Sequence, residues 1–331
     1  MNTVKCLKQG IAFCQCFVLA FLVVSCAKEE VPSFSIGTGG LAGNYHSVGS
    51  ALRRILVNNP ATSELRFDEK MSSGSISNIN AIARGEIQFG IAQADHQYQA
   101  VNGLDEWRDK GPQTELRAIF SLYAESVTLV VGADTDIRSM EDLKGKRVDI
   151  GVPGSGTQSN AIDGLRAAGI DWQKDIEVSH ANLDERLTMF MQGEIDAFFY
   201  TVGHPNIEIK FATFSVRGAR IIPLNDIDSL IDSNPSYSRV LIPSGTYPMA
   251  RTDVDIETIG VYATLLTSAQ VSEDVVYAIT KAVFENVESS TDLRSEFGAL
   301  LSDQFSKGLT APMHPGAVKY YREIGINSPS P

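Results

Sequence analysis

Twice along this chain a short β-rich run ends in a glycine-rich turn that leads straight into an amphipathic helix, and few architectures accommodate that unit. The first copy is FSIGTGGLAGNYHSVGSALRRIL, beginning at Phe34; the second is DIGVPGSGTQSNA, centred on Gly154–Thr157. Glycines let backbone come close to a ligand, and a helix start presents unpaired N–H groups with partial positive charge. The rest of the chain keeps the alternation. β-Rich runs fall at Leu65–Lys70, Ile87–Gln93, Arg117–Tyr123, Ser126–Gly132, Ile195–Tyr200 and Ile259–Thr267. Helical spacing marks Ser75–Arg84, the stretch ending at Ala168, a segment capped by Asn182 and Glu185, and one capped by Ser272. Ser139 and Asp142 have the spacing of a further cap. After Pro223 the helical signal weakens. Such alternation predicts an α/β protein with open sheets, and the length fits two units of comparable size better than one.

The front of the chain carries Lys5 and Lys8, no acid, and an apolar run from Ile11 to Val24. That run is short for a bilayer span and has the form of an export signal, residues 1–25. It closes on Val23-Val24-Ser25-Cys26, which resembles a bacterial lipobox with Cys26 as the lipidated residue and 26–33 as a tether. All four cysteines lie at or before that point, so the mature chain holds no disulfide, thiol nucleophile or thiolate metal site. Loss of the two lysines takes the formal charge from −12 to −14, a poor surface for nucleic acid. The expected address is periplasmic, as a membrane-anchored lipoprotein.

Several stretches, in order, resemble the TAXI family of solute receptors, the periplasmic components of tripartite ATP-independent (TRAP) transporters. They are IGTGGLAGNYHSVG, SSGSISNINAIARGEIQFGIAQAD, SLYAESVTLVV, DLKGKRVDIGVPGSGTQSNA and GEIDAFFYTVGHP, running from about Phe34 to about Tyr320. The resemblance implies a two-lobed type II periplasmic-binding-protein fold with a ligand cleft between lobes. Lobe 1 would comprise 34–126 plus 265–331, and lobe 2 would comprise 127–264. It further implies a receptor that closes on a small carboxylate, glutamate or a related dicarboxylate, and delivers it to the TRAP membrane permease subunits; a monomer is the expected state. A receptor feeding a membrane sensor, or an extracytoplasmic enzyme, stands as the alternative.

The residues give their own reading of the site. Gly39 and Gly40, with Asn44 and Tyr45 at the helix start, suit a carboxylate; a structural tight turn is the plainer alternative. Gly37, Gly39 and Ala42 also meet a loose dinucleotide pattern, but no acid sits about twenty residues on. Gly154, Ser155, Gly156 and Thr157 repeat the design, and Ser73, Gly74 and Ser75 form a third helix-start loop. Gln93 ends a strand, where open α/β sheets place ligand groups. His204 is either a cleft residue or a packing one, and Asp95 either holds an ammonium or is solvated. The five histidines lack metal spacing, no serine lies in G-x-S-x-G, and no catalytic carboxylate pair is evident. The chain is therefore read as a receptor without cofactor or metal, not as an enzyme.

Overall fold

In the computed structural model the described residues are 32–326, except 42, 251, 290–296, 298–299 and 301–303. The export run and Cys26 lie outside them. In chain order the elements are β1 (Ser33–Gly37), α1 (Asn44–Asn58), β2 (Arg66–Lys70), α2 (Ser75–Ala83), β3 (Phe89–Gln93), α3 (Ala94–Asn102) and β4 (Leu116–Gly132). There follow β5 (Arg147–Asp149), α4 (Gly156–Ala167), β6 (Glu177–Ser179), α5 (Leu183–Gln192), β7 (Ala197–Val202) and α6 (Ile207–Phe214). The chain ends with β8 (Ala219–Ile222), α7 (Ile227–Ser233), β9 (Ser238–Ile242), β10 (Ile256–Ser268), α8 (Glu273–Ser289) and α9 (Pro315–Glu323).

Strands pair in the order β2-β1-β3-β10-β4-β7-β5-β6, with β8 on β4 and β9 on β10. The outer pairs are parallel, while β10 is antiparallel to both β3 and β4. Where the sequence predicts two strands over Arg117–Tyr123 and Ser126–Gly132, β4 is one strand of 17 residues. Ala124 and Glu125 interrupt the apolar run, yet their backbones stay paired, opposite Tyr262 and Val261. The polar interruption changes what the strand packs against, not the strand itself.

That change divides the molecule. Phe120, Leu122 and Tyr123 of β4, with Ala263 and Leu265 of β10, pack into a core shared with α1, α8 and α9. Only a few residues further along, Val127 and Leu129 pack with Ile259, Val261, Val148, Leu165 and Phe199 in a second core. A third cluster, around Phe190, Phe198, Val202 and Ile209, covers the other face of β7. The chain is thus a two-lobed α/β protein with a cleft between lobes, crossed by β4 and β10. β7 is buried along its whole length, as its continuous apolar run predicts. Each such large side chain contributes about 1.5–3 kcal/mol by leaving water.

Local signals hold the helix starts. The Ser155 hydroxyl accepts the Gln158 N–H at 3.1 Å, and Asn182 Oδ1 accepts the Glu185 N–H at 3.0 Å. Ser139 and Asp142 form a reciprocal capping box, as their spacing predicts. Among the described residues no helix is long and apolar enough to cross a membrane.

Candidate functional site

A cavity of about 220 Å³ lies where the lobes meet. Four helices begin on its wall: α1 at Asn44, α2 at Ser75, α4 at Gly156 and α5 at Leu183. Two come from each side of the molecule. Helix starts carry N–H groups without a partner in the helix and partial positive charge; those of Gln158, Glu185 and Ser77 are taken by Ser155 Oγ, Asn182 Oδ1 and the Gly154 carbonyl. The first turns of α1, α2 and α4 hold no acid that would cancel the charge.

Backbone approach across the cleft depends on glycine at two places. Gly74 sits at φ 116°, a conformation side-chain-bearing residues rarely adopt. Gly156 packs so closely that a Cβ there would meet Gln93 Oε1 at 1.5 Å.

A polar chain runs from the crossing strand across the cleft. Tyr45 donates its hydroxyl hydrogen to Glu125 Oε2 at 3.1 Å and lies 3.3 Å from Ser75 Oγ. Ser75 Oγ accepts the Gln93 N–H at 3.1 Å, and Gln93 Nε2 donates to Asn160 Oδ1 at 2.7 Å. Asn160 Nδ2 donates in turn to Asp95 Oδ2 at 2.7 Å and to the Tyr237 hydroxyl at 2.9 Å. Thr201 donates its hydroxyl to Asn160 Oδ1 at 2.8 Å, and its N–H goes to Thr157 Oγ1 at 3.2 Å. The Thr157 hydroxyl hydrogen stays available.

Of the residues the sequence singles out, Gly39, Gly40, Asn44 and Tyr45 line the cavity on one side, with Ser73, Gly74, Ser75 and Gln93 beside them. Ser155, Gly156 and Thr157 line it from the other side. Gly154 is not on the wall; its carbonyl accepts the Ser77 N–H across the cleft at 3.2 Å. His204 is also off the wall, half-buried against Tyr247. Its Nδ1 lies 2.6 Å from the Tyr247 hydroxyl and its Nε2 lies 3.0 Å from Thr128 Oγ1. Burial lowers its pKa to about 4. Asp95 fits neither expectation. It is fully buried rather than solvated, and it faces Asn160 behind the cavity rather than the cavity itself.

Two further residues on the wall are not among those the sequence singles out. Glu125, 2% exposed, sits on β4 where the cores change over, and burial raises its carboxyl to about 8. Arg186, 1% exposed, occupies the apolar face of α5 and holds Glu208 of α6 through two hydrogen bonds of 2.8 and 2.7 Å. Its guanidinium also stacks over the Tyr200 ring, 4.1 Å from the centroid. An acid inside an apolar strand and an arginine three residues after Leu183 on an apolar face were the available signals. Among the described residues no cluster of histidine, cysteine and acid side chains could hold a metal ion.

A model of the NMT1-like family matches residues 36–325. Among solved structures, a Bordetella bronchiseptica protein is 14% identical, with 88% of each chain covered and a TM-score of 0.52. The binding protein component of an ABC phosphonate transporter from Pseudomonas aeruginosa is 11% identical, over 84% of this chain and 81% of that one, with a TM-score of 0.51. The periplasmic aliphatic sulphonate binding protein SsuA of Escherichia coli is 16% identical, over 88% and 83% of the chains, at a TM-score of 0.47. For the first two, at these identities, the likeness is one of fold.

Proposed function

Because this chain belongs to the NMT1-like family, we propose that it is an extracytoplasmic solute-binding protein of a transporter. One observation carries the reading: a cavity between two lobes with four helix N-termini on its wall. That arrangement suits a small carboxylate, which is held by backbone N–H groups without a cationic side chain. The ligand contacts would come from the loops at Gly39-Gly40, Ser73–Ser75 and Ser155–Thr157, with Asn44, Tyr45 and Gln93. Glutamate or a related dicarboxylate is the solute that the sequence resemblance favours.

The lobes in this reading are 34–126 plus 265–331 and 127–264, hinged where β4 and β10 pass between cores. A ligand touching both lobes binds the closed form better than the open one, and that difference shifts the population. The wall offers binding groups and no nucleophile–base pair, so one solute is held per chain and none is consumed.

The membrane partner in this reading is a TRAP permease of the TAXI type, with the chain anchored through Cys26 as a monomeric lipoprotein. The Pseudomonas aeruginosa fold relative named above, a component of an ABC transporter, motivates the second reading, an ABC permease. Uptake into membrane vesicles decides between them, since only the ABC reading requires ATP. Thermal-shift screening of residues 27–331 against amino acids, dicarboxylates and oxo-acids tests the receptor reading itself. A solute at a hundred times its dissociation constant stabilises the fold by about 2.7 kcal/mol. Conversion of a candidate solute to product would replace the receptor reading with an enzymatic one.

A further inference from the structure

The cavity wall carries ionisable groups of both signs, Glu125 and Arg186. Three helix starts without an acid, those of α1, α2 and α4, bring partial positive charge to its wall, and Arg186 adds a full one that Glu208 already neutralises in bidentate geometry. Glu125 is different. Its carboxyl reaches the same wall, takes the Tyr45 hydroxyl hydrogen at 3.1 Å, and has no ion-pair partner among the described residues.

We infer that Glu125 is the counter-ion for a protonated amine on the bound solute, so that the site selects an acidic α-amino acid over the matching diacid, oxo-acid or hydroxy-acid. This rests on the small-carboxylate reading of the same cavity.

The surroundings of Glu125 on every side favour a cation. From α1 comes the neutral phenol of Tyr45, from β7 that of Tyr200, and from β4 itself the Tyr123 hydroxyl. From α3 comes Asp95, whose negative charge acts on Glu125 from behind. The facing residue on β10 is the apolar Val261. Arg186 and Glu208, from α5 and α6, approach as a closed pair. An ammonium entering here meets one buried carboxyl and phenol oxygens that accept hydrogen bonds, while the solute's carboxylates meet the helix starts. A plain diacid leaves the buried Glu125 without an ion-pair partner.

Burial raises the carboxyl to about 8, so near neutral pH the empty site holds its proton. When an ammonium docks, Glu125 gives that proton to solvent and the carboxylate pairs with the ammonium. Net proton release therefore accompanies binding, and it fades as pH rises past the raised value.

The test is calorimetry on the wild-type chain near pH 7, in two buffers of different ionisation enthalpy, with glutamate, glutarate, 2-oxoglutarate, 2-hydroxyglutarate and alanine. Glutamate is expected to bind at least about tenfold more tightly than its three amine-free analogues, with release approaching one proton. Glu125→Gln is expected to weaken glutamate about tenfold and leave glutarate unchanged, which erases the preference. Equal binding of glutarate and glutamate, or binding without proton release, overturns the inference while leaving the carboxylate reading intact. Binding of alanine alone with proton release keeps the amine and removes the diacid. Silence across all five solutes overturns both.

Discussion

The two buried ionisable residues on the cavity wall are held in opposite ways. Arg186 is clamped by Glu208 through two short hydrogen bonds, rests on Tyr200, and donates a third bond to the Phe199 carbonyl at 3.2 Å. Glu125 has phenol hydroxyls and no opposite charge among the described residues. At Arg186 the wall is electrostatically complete within the protein; at Glu125 the inferred ammonium would complete it. A charge that the fold has neutralised serves structure, and a charge group left without its complement is free to recognise something.

The largest expected effect comes from breaking the completed end. Glu208→Gln keeps the shape of the side chain and removes its charge, which leaves Arg186 buried without its hydrogen-bonded counter-ion. Loss of one partner of a buried pair costs about 3–5 kcal/mol. Urea unfolding of the variant should show a drop of that size. A cost under about 1 kcal/mol would mean that the pair is not what holds α5 against α6.

Much of the fold, and much less of the chemistry, is legible in the sequence. The apolar run of β7, the caps at Ser155 and Asn182 and the glycine turns before α1 and α4 are local, and locality is what periodicity reports. The segment after Pro223 was harder because α7 buries only Ile227 and Leu230, and β9 is largely exposed, so neither has a strong pattern. Arg186 and Glu208 stand 22 residues apart on different helices, and nothing in either segment announces the other. Glu125 appears in sequence as an acid between two strands. Only the pairing of β4 with β10 turns that gap into a continuous strand with a buried carboxyl at its centre. Asp95 fails for the same reason, since its partner Asn160 belongs to the opposite lobe.

The next effect sharpens the contrast through pH. Burial raises Glu125 from 4.5 to about 8. Its contribution to stability is full below about 4.5, where folded and unfolded chains both hold the proton, and is lost as pH climbs through about 8. His204 shifts the other way, from 6.5 to about 4, so its contribution is present above 6.5 and lost as pH falls through about 4. Tyr247 accepts the Asn206 N–H at 2.8 Å, which leaves its own hydrogen for His204 Nδ1 and keeps the ring neutral. Glu125→Gln should therefore flatten the fall in stability between pH 5.5 and 8.5, by an amount on the order of 2–3 kcal/mol. Parallel pH profiles for wild type and variant would show that Glu125 titrates normally and that this end of the cavity is not incomplete.

Gly156→Ala probes the seam between the two ends. The added Cβ would fall 1.5 Å from Gln93 Oε1, so Gln93 must leave Asn160 or the lobes must part. Overpacking of this kind typically costs about 1–3 kcal/mol. Small-angle scattering should show a larger radius of gyration for the variant, with solute affinity reduced. An unchanged particle that binds normally would mean Gln93 can rotate aside, and that its bond to Asn160 does not hold the lobes together.

The smallest effect is expected at the incomplete end. Tyr45→Phe removes the hydroxyl that donates to Glu125 and leaves the ring packed beside Gly39. A neutral carboxyl loses one hydrogen bond, for which about 0.5–1.5 kcal/mol is the usual net cost. The same bond favours the ionised form of Glu125, so its removal raises that carboxyl further. Proton release on glutamate binding should then persist to higher pH than in the wild type. Equilibrium unfolding and two-buffer calorimetry read the two effects separately. If Tyr45→Phe costs as much as Glu208→Gln, Glu125 is as firmly built into the fold as Arg186. The distinction between a structural charge and a recognising one would then fail.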